Sequence, residues 1–290
     1  MKFEKIRVYN FEGAFRGMRN PKNSWDKSDS FFELGNPTPD SDGLSQITNL
    51  WAAALNLEDI KKEEVMQYLI DNGYFISEGR IYEKVLIGPK DMQLAKNLIR
   101  AGSEHRKFMR EIVVSMDITA PMYFWSEYDT YKVGTVANST SKMHKLASTP
   151  ITIDCFETDD YTKDLKCLEE YDSDIEVGNS TVNFEVHNFI KFLEYLRKKY
   201  LETKDKRYWK ELIRWLPESW SQTRTVTLTY ENLLAMCGRG QRRFHKLNEW
   251  SGADDPSKEN FISMARTLPY AQDLIFIDEK DKSPLIVDSI

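Results

Sequence analysis

Apolar residues recur at helical spacing in some stretches of the chain and alternate with polar ones in others, and this pattern sets the expected elements. From Leu50 to Asn72 the spacing is helical, and Asn72-Gly73 supplies a stop. Tyr74–Leu86 reads as a short hairpin turning near Gly79. Gly88-Pro89-Lys90-Asp91 is a helix start, since proline has no N–H to lose there and an acid suits the positive end of the helix dipole. Met92, Leu94, Ala95, Leu98 and Ile99 then form one face, and Ala101-Gly102 ends the helix. Glu111–Thr119 is rich in β-branched residues and partly alternating, a strand, and after Ala120-Pro121 a helix begins at Met122 and runs to the neighbourhood of Tyr131.

The clearest amphipathic helix runs from Asn183 to the neighbourhood of Thr203, with Phe184, His187, Phe189, Ile190, Phe192, Leu193, Leu196 and Tyr200 expected inward. A short helix over Tyr208–Trp215 stops at Leu216-Pro217, Thr223–Leu228 is strand-like, and residues 230–250 and 257–268 read as helices. Residues 19–45, rich in Pro, Asn, Ser, Asp and Gly, read as loop. No repeat or low-complexity linker divides the chain, so one α+β domain over residues 1–290 is expected, with an acidic insertion at 152–181.

Composition narrows the class. With 290 residues, 41% hydrophobic and 30% charged, the chain is long enough for a full core and has the balance of an ordinary globular protein. No apolar run approaches the roughly 20 residues that span a bilayer, and Met1-Lys2-Phe3-Glu4-Lys5 leads into no apolar signal core. A cytoplasmic protein with no membrane partner is the expectation. Cys155, Cys167 and Cys237 have no C-x-x-C spacing and read as small buried apolar residues. His105, His144, His187 and His245 form no helical metal pair, so no metal site is expected.

A net charge of −6 argues against a long nucleic acid as partner. The charges are segregated, however. Residues 154–176 are strongly acidic, whereas 239–246 carry Arg239, Arg242, Arg243 and Lys246 with no acid among them. A local basic cluster on an acidic protein suits a small anionic ligand. The stretch Val133–Ser141, small hydroxyl and amide side chains beside Gly134, lets backbone N–H groups approach an anion, and Lys132, Lys142, His144 and Lys145 flank it. It reads either as a phosphate-contacting loop or as a Ser/Thr-rich capping turn. Arg224, at a strand start, is a further phosphate candidate. Trp209, Trp215, Trp220 and Trp250 are compatible with an interface and equally with core positions.

Two ordered blocks resemble the flavin-dependent thymidylate synthases. In the first, a helix over 90–101 is followed by Gly102-Ser103-Glu104-His105, a strand over 111–119, Ala120-Pro121 and a helix entering 130–144. Against the family pattern R-H-R-x-x-S-x-N-E-x-S-x-R-Y, the first triplet falls on Thr130-Tyr131-Lys132, and later positions fall on Thr135, Asn138, Thr140 and Lys142; a slip by one puts Ser141 in place of Thr140. In the second block, Arg214-Trp215-Leu216-Pro217 precedes Thr227–Leu233, then Arg239, Arg242 and Arg243, then Leu247-Asn248-Glu249-Trp250. Thr229 and Glu231 stand where the family has Asn and Arg, so an acid occupies a place that faces a diphosphate. The first 87 residues match only through Arg16 and Arg19-Asn20-Pro21 with Ser24.

The resemblance implies the fold of that family, a central antiparallel-rich sheet packed by helices, and reductive methylation of dUMP to dTMP with FAD, NADPH and methylenetetrahydrofolate. It implies Arg242 as the residue that polarises the uracil ring. His105, Lys132, Thr135 and Ser24 would lie on the cofactor side. Asn138, Thr140, Ser141, Lys142, Arg214, Arg239 and Arg243 would hold the nucleotide. It also implies a homotetramer. Two alternatives share these residues: the same fold modifying a pyrimidine nucleotide by other chemistry, and a nucleotide-binding or structural protein without catalysis.

Overall fold

The computed structural model describes residues 1–33, 84–141, 146–158, 182–238, 244–253, 255 and 257–277. The expected helix at 50–72, most of the acidic insertion, Cys167, Lys142, His144, Lys145, Arg239, Arg242 and Arg243 lie outside these residues.

The chain is α+β, as its patterning predicts. Strand β1 (Lys2–Tyr9) leads into helix α1 (Phe11–Arg19), neither of which the sequence pattern had marked. The expected loop then contains short 3-10 turns and strand β2 (Phe31–Glu33), which pairs antiparallel with β3 (Lys84–Leu86) in the register Phe32 to Val85. The hairpin expected over Tyr74–Leu86 is therefore corrected at its end: residues 84–86 pair with a distant segment. Next come α2 (Pro89–Ala101), β4 (Val113–Pro121), α3 (Met122–Tyr128) and β5 (Val136–Ser139). Helices α4 (Val182–Thr203) and α5 (Lys206–Arg214) precede β6 (Ser221–Thr229), and α6 (Tyr230–Leu233) continues into a π turn over Leu234–Gly238. The short helices α7 (Asn248–Ser251), α8 (Phe261–Arg266) and α9 (Ala271–Leu274) close the order. Residues 230–250 and 257–268 thus form shorter helical pieces than expected.

One sheet has the order β1-β4-β6-β5. β4 and β6 run antiparallel, because Thr119 faces Thr223 and Asp117 faces Thr225, with hydroxyl contacts of 2.7 and 2.6 Å. Contacts divide the chain into two compact units: Lys2–Ile118, Thr130–Ala137 and Thr225–Ile290 in one, and Met1, Thr119–Asp129 and Asn138–Arg224 in the other.

In the first unit an aromatic core gathers around Phe11, whose ring meets Tyr230 and Tyr270 edge-on at 5.6 Å each. Both phenols are satisfied, Tyr230 donating to the Pro269 carbonyl and Tyr270 accepting from the Ile87 N–H. Helix α2 starts as its sequence predicts, with Pro89 in the first turn and Gly102 ending it at φ 115°. Its N-cap comes from elsewhere: Asp29 accepts the Lys90 and Asp91 N–H groups at 2.9 and 3.0 Å. Gly88 is required there, since a Cβ would lie 2.2 Å from the Asp29 carbonyl oxygen. Asp91 is fully buried and takes the Arg19 guanidinium on one oxygen and the Ser28 and Ser30 hydroxyls on the other. Arg19 also donates to the Ser24 carbonyl. This network fastens α1 and the 24–30 segment to the start of α2.

In the second unit α4 packs Ile190, Leu193 and Leu196 against Leu146, Ile151, Phe156 and Leu212. Its inward arc is narrower than expected, for Phe184, His187 and Phe192 are exposed. Glu194 takes two bonds from Arg197 at 2.7 and 2.6 Å and accepts the Ile151 N–H, while Arg197 reaches the Ala147 carbonyl. Together they clasp the 147–151 segment to the helix. Trp250 is buried and Trp215 is 54% exposed. Cys237 is buried, which pushes its thiol pKa up, and Cys155 is half-buried.

Two predictions follow from these networks. Asp91→Ala leaves Arg19 buried without a counter-charge, and urea denaturation is expected to show a loss of about 3–5 kcal/mol; a loss within error of zero would contradict the network. The Arg197 guanidinium holds the Glu194 carboxyl below its ordinary value of 4.5. A depressed folded-state pKa stabilises above the unfolded value and is lost as pH falls through the folded one. Glu194→Gln is therefore expected to cost about 1–2 kcal/mol at neutral pH, with the difference closing as pH falls from 4.5 through the lower folded-state value. Denaturation at several pH values checks this, and a difference independent of pH would refute it.

Candidate functional site

The segment after α3, residues 130–135, is held against the start of α6 by one asparagine. Asn232 and Thr229 form a reciprocal capping box, the Thr229 N–H donating to Asn232 Oδ1 at 3.0 Å and the Asn232 N–H to Thr229 Oγ1 at 3.3 Å. The remaining amide group, Asn232 Nδ2, donates to the Val133 carbonyl at 2.7 Å. Gly134 follows at φ 78°, a left-handed conformation that glycine adopts without strain. The Thr135 hydroxyl closes the turn by donating to the Tyr131 carbonyl.

Between this loop and α6 lies a cavity of about 560 Å³, whose walls include Tyr131, Lys132, Gly134, Thr229, Glu231 and Asn232, with Arg110 at its side. All of them belong to the first unit. Tyr131 forms an aromatic wall, its ring stacked on buried Trp250 at 5.8 Å and 30°. Trp250 is itself fixed by donating to the Met236 carbonyl at 3.1 Å. Lys132 and Arg110 are exposed at the cavity, and neither has an ion-pair partner among the described residues.

Glu231 is the acid that stands where a cation was expected. Its Oε2 accepts from Arg106 Nε at 2.7 Å, and both side chains are largely shielded, 12% exposed for Arg106 and 17% for Glu231. The pair is close to neutral, so the charge left at the cavity comes from Lys132 and Arg110. It is positive.

Of the residues singled out from sequence, Lys132 lines this cavity and Thr135 builds its loop. His105 is exposed in the turn after α2, one residue before Arg106, and its N–H bonds the Gly102 carbonyl. Ser24 takes part in the Arg19 network through its carbonyl. Asn138 and Thr140 are exposed at the sheet edge, where the Thr140 N–H donates to Thr223 O at 2.9 Å and its carbonyl accepts from Gln222. Ser141 is half-buried. Arg214 is exposed and forms an ion pair with Glu211 one turn earlier. Arg224 is corrected as a phosphate candidate: its guanidinium lies 4.3 Å over the Trp125 ring and bonds Asp129 at 2.9 and 3.0 Å.

Sequence reasoning missed Arg106, Arg110 and Asn232. The basic run Arg106-Lys107 with Arg110, directly after a helix stop, is a signal for the first two. Thr229-x-x-Asn232 at a strand-to-helix boundary has the spacing of a capping box.

No family model matches the chain, and no curated protein matches it. Among solved structures the chain is similar to a UMP/dUMP methylase, PolB from Streptomyces cacaoi bound with 5-Br UMP, at 14% identity and a TM-score of 0.43 over 65% of this chain and 83% of that one. It is also similar to thymidylate synthase X from Helicobacter pylori with FAD and dUMP, at 13% identity and a TM-score of 0.41 over 88% of this chain and 100% of that one. At these scores the likeness assigns no residue a role.

The pair predicts a measurable coupling. Arg106→Met leaves the shielded Glu231 carboxylate without its donor and is expected to cost about 1–3 kcal/mol by urea denaturation. The same change in a Glu231→Gln background is expected to cost less than half as much. Equal costs in both backgrounds would show that the two side chains do not interact.

Proposed function

We propose that this chain is a flavin-dependent thymidylate synthase-like enzyme that methylates carbon 5 of dUMP reductively, with FAD, NADPH and methylenetetrahydrofolate, in a homotetramer. The observation that carries the reading is the cavity at 130–134, where two cations without acidic partners among the described residues flank an aromatic wall and the acid Glu231 is neutralised by Arg106. Among its residues, Thr130, Tyr131 and Lys132 come from the first sequence block and Thr229 and Glu231 from the second, at places that the resemblance sets on the flavin side. The donor set fits the phosphate part of a flavin nucleotide: the Lys132 ammonium and the Arg110 guanidinium suit a diphosphate, and Gly134 lets the backbone come close.

When bound, a reduced flavin supplies hydride and the folate supplies the one-carbon unit. The chain's share is positioning and electrostatics. Lys132 and Arg110 anchor the phosphates, and Tyr131, stiffened by Trp250, limits the tilt of a planar group beside it. By the resemblance, Asn138, Thr140, Ser141 and Lys142 hold the uridylate phosphate with Arg214, Arg239 and Arg243, and Arg242 polarises the ring.

Purified protein is expected to carry or take up FAD, seen as the flavin absorption band and as quenching of flavin fluorescence. Lys132→Ala and Arg110→Ala are each expected to weaken FAD by about tenfold, as loss of one charge-assisted contact does. Wild-type protein is expected to release tritium from dUMP labelled at carbon 5 when NADPH and methylenetetrahydrofolate are supplied. A protein that binds dUMP but takes up no FAD would favour other pyrimidine-nucleotide chemistry. One that binds both without releasing tritium would favour a non-catalytic role.

A further inference from the structure

Glu231 has a second oxygen. Arg106 occupies Oε2, while Oε1 has no hydrogen-bond partner among the described residues, on a side chain that is 17% exposed and lines the cavity. That oxygen is open to the cavity, and covering it is costly unless a donor meets it. Water meets that need when the cavity is open, but a ligand that excludes water must bring a donor of its own. The esterified diphosphate of a flavin nucleotide cannot, since all its oxygens are acceptors at neutral pH. A sugar hydroxyl can, and it is the group that carboxylates take in nucleotide sites.

We infer that Glu231 is a specificity-determining residue: its Oε1 accepts a hydroxyl of the sugar or sugar-alcohol chain next to the phosphate held by Lys132 and Arg110. The cavity then selects hydroxyl-bearing phosphate esters over anions of equal charge without hydroxyls. The acid where a cation was expected is a recognition element and not a loss of function. The placement of a phosphate at Lys132 and Arg110 rests on the functional reading above. The role of Glu231 adds the substrate-side chemistry, which either the ribityl and ribose hydroxyls of a flavin nucleotide or the 2′-hydroxyl of a ribonucleotide can supply.

Glu231→Gln tests this, because the amide keeps the shape and a carbonyl for Arg106 to bond, and thermal melting verifies the fold; Glu231→Ala serves as the second variant. Affinities for the dimethyl ester of pyrophosphate (one methyl on each phosphorus), FAD, UMP and dUMP are measured by calorimetry on both variants and the wild type. Relief of repulsion is expected to tighten the dimethyl ester of pyrophosphate by about threefold or more in Glu231→Gln, while the hydroxyl-bearing ligand of this cavity weakens by about tenfold. Weakening of FAD alone assigns the hydroxyl to the flavin chain. Weakening of UMP with dUMP unchanged assigns it to a ribose 2′-hydroxyl. If both variants bind every ligand more tightly in parallel, or bind all of them as the wild type does, Glu231 recognises no hydroxyl and the inference is wrong. Normal FAD uptake with that parallel result overturns the inference alone. A wild type that ignores FAD but discriminates UMP through Glu231 overturns the flavin placement and keeps the inference. A wild type that binds none of the four overturns both.

Discussion

Arg106 and Glu231 meet at 2.7 Å across 125 positions of sequence, and the character of the cavity depends on that contact. Glu231 alone would set a negative charge against any phosphate drawn to Lys132 and Arg110. At an effective dielectric constant of about 20, two like charges a few ångströms apart repel by several kcal/mol. With Arg106 bound to one carboxylate oxygen, the pair is close to neutral, and Lys132 and Arg110 have no acidic partner among the described residues. The charge of Glu231 is therefore answered by a residue on a different segment. Binding capacity in such a site is a property of the assembled charges.

The cavity is also a product of backbone organisation. Asn232 uses its amide oxygen to cap α6 and its amide nitrogen to hold the Val133 carbonyl, so one side chain fixes both walls. Farther away, the buried Arg19–Asp91 pair and the Asp29 cap tie α1 and α2 together. Arg106 comes from the turn that ends α2, where its backbone N–H donates to the Gly102 carbonyl at 3.1 Å.

Helix α2 and strands β4 and β6 were legible because their signals are local: Pro89 and Gly102 bound the helix, and alternation marks the strands. The inward face of α4 was only partly legible. Apolar residues surround much of that helix, so periodicity could not say that Ile190, Leu193 and Leu196 would be chosen over Phe184 and Phe192. The pairing of Lys84–Leu86 with Phe31–Glu33 was illegible, since strand patterning does not name a partner. Lys132 and Thr135 could be found by their place in a motif. For Arg106 and Arg110 the sequence offers only a basic run after a helix stop, because their meaning depends on which side chains folding brings beside them. Arg224 shows the converse, a cation of the right type that packing on Trp125 and bonding to Asp129 commit to structure.

The most direct measurement of the central claim is a crystal structure of the protein grown with FAD. The account predicts density for the diphosphate within hydrogen-bonding distance of the Lys132 ammonium and the Arg110 guanidinium, with Glu231 still bonded to Arg106. Density for FAD at another place on the protein, or a diphosphate bound with the Arg106–Glu231 contact broken, would contradict it.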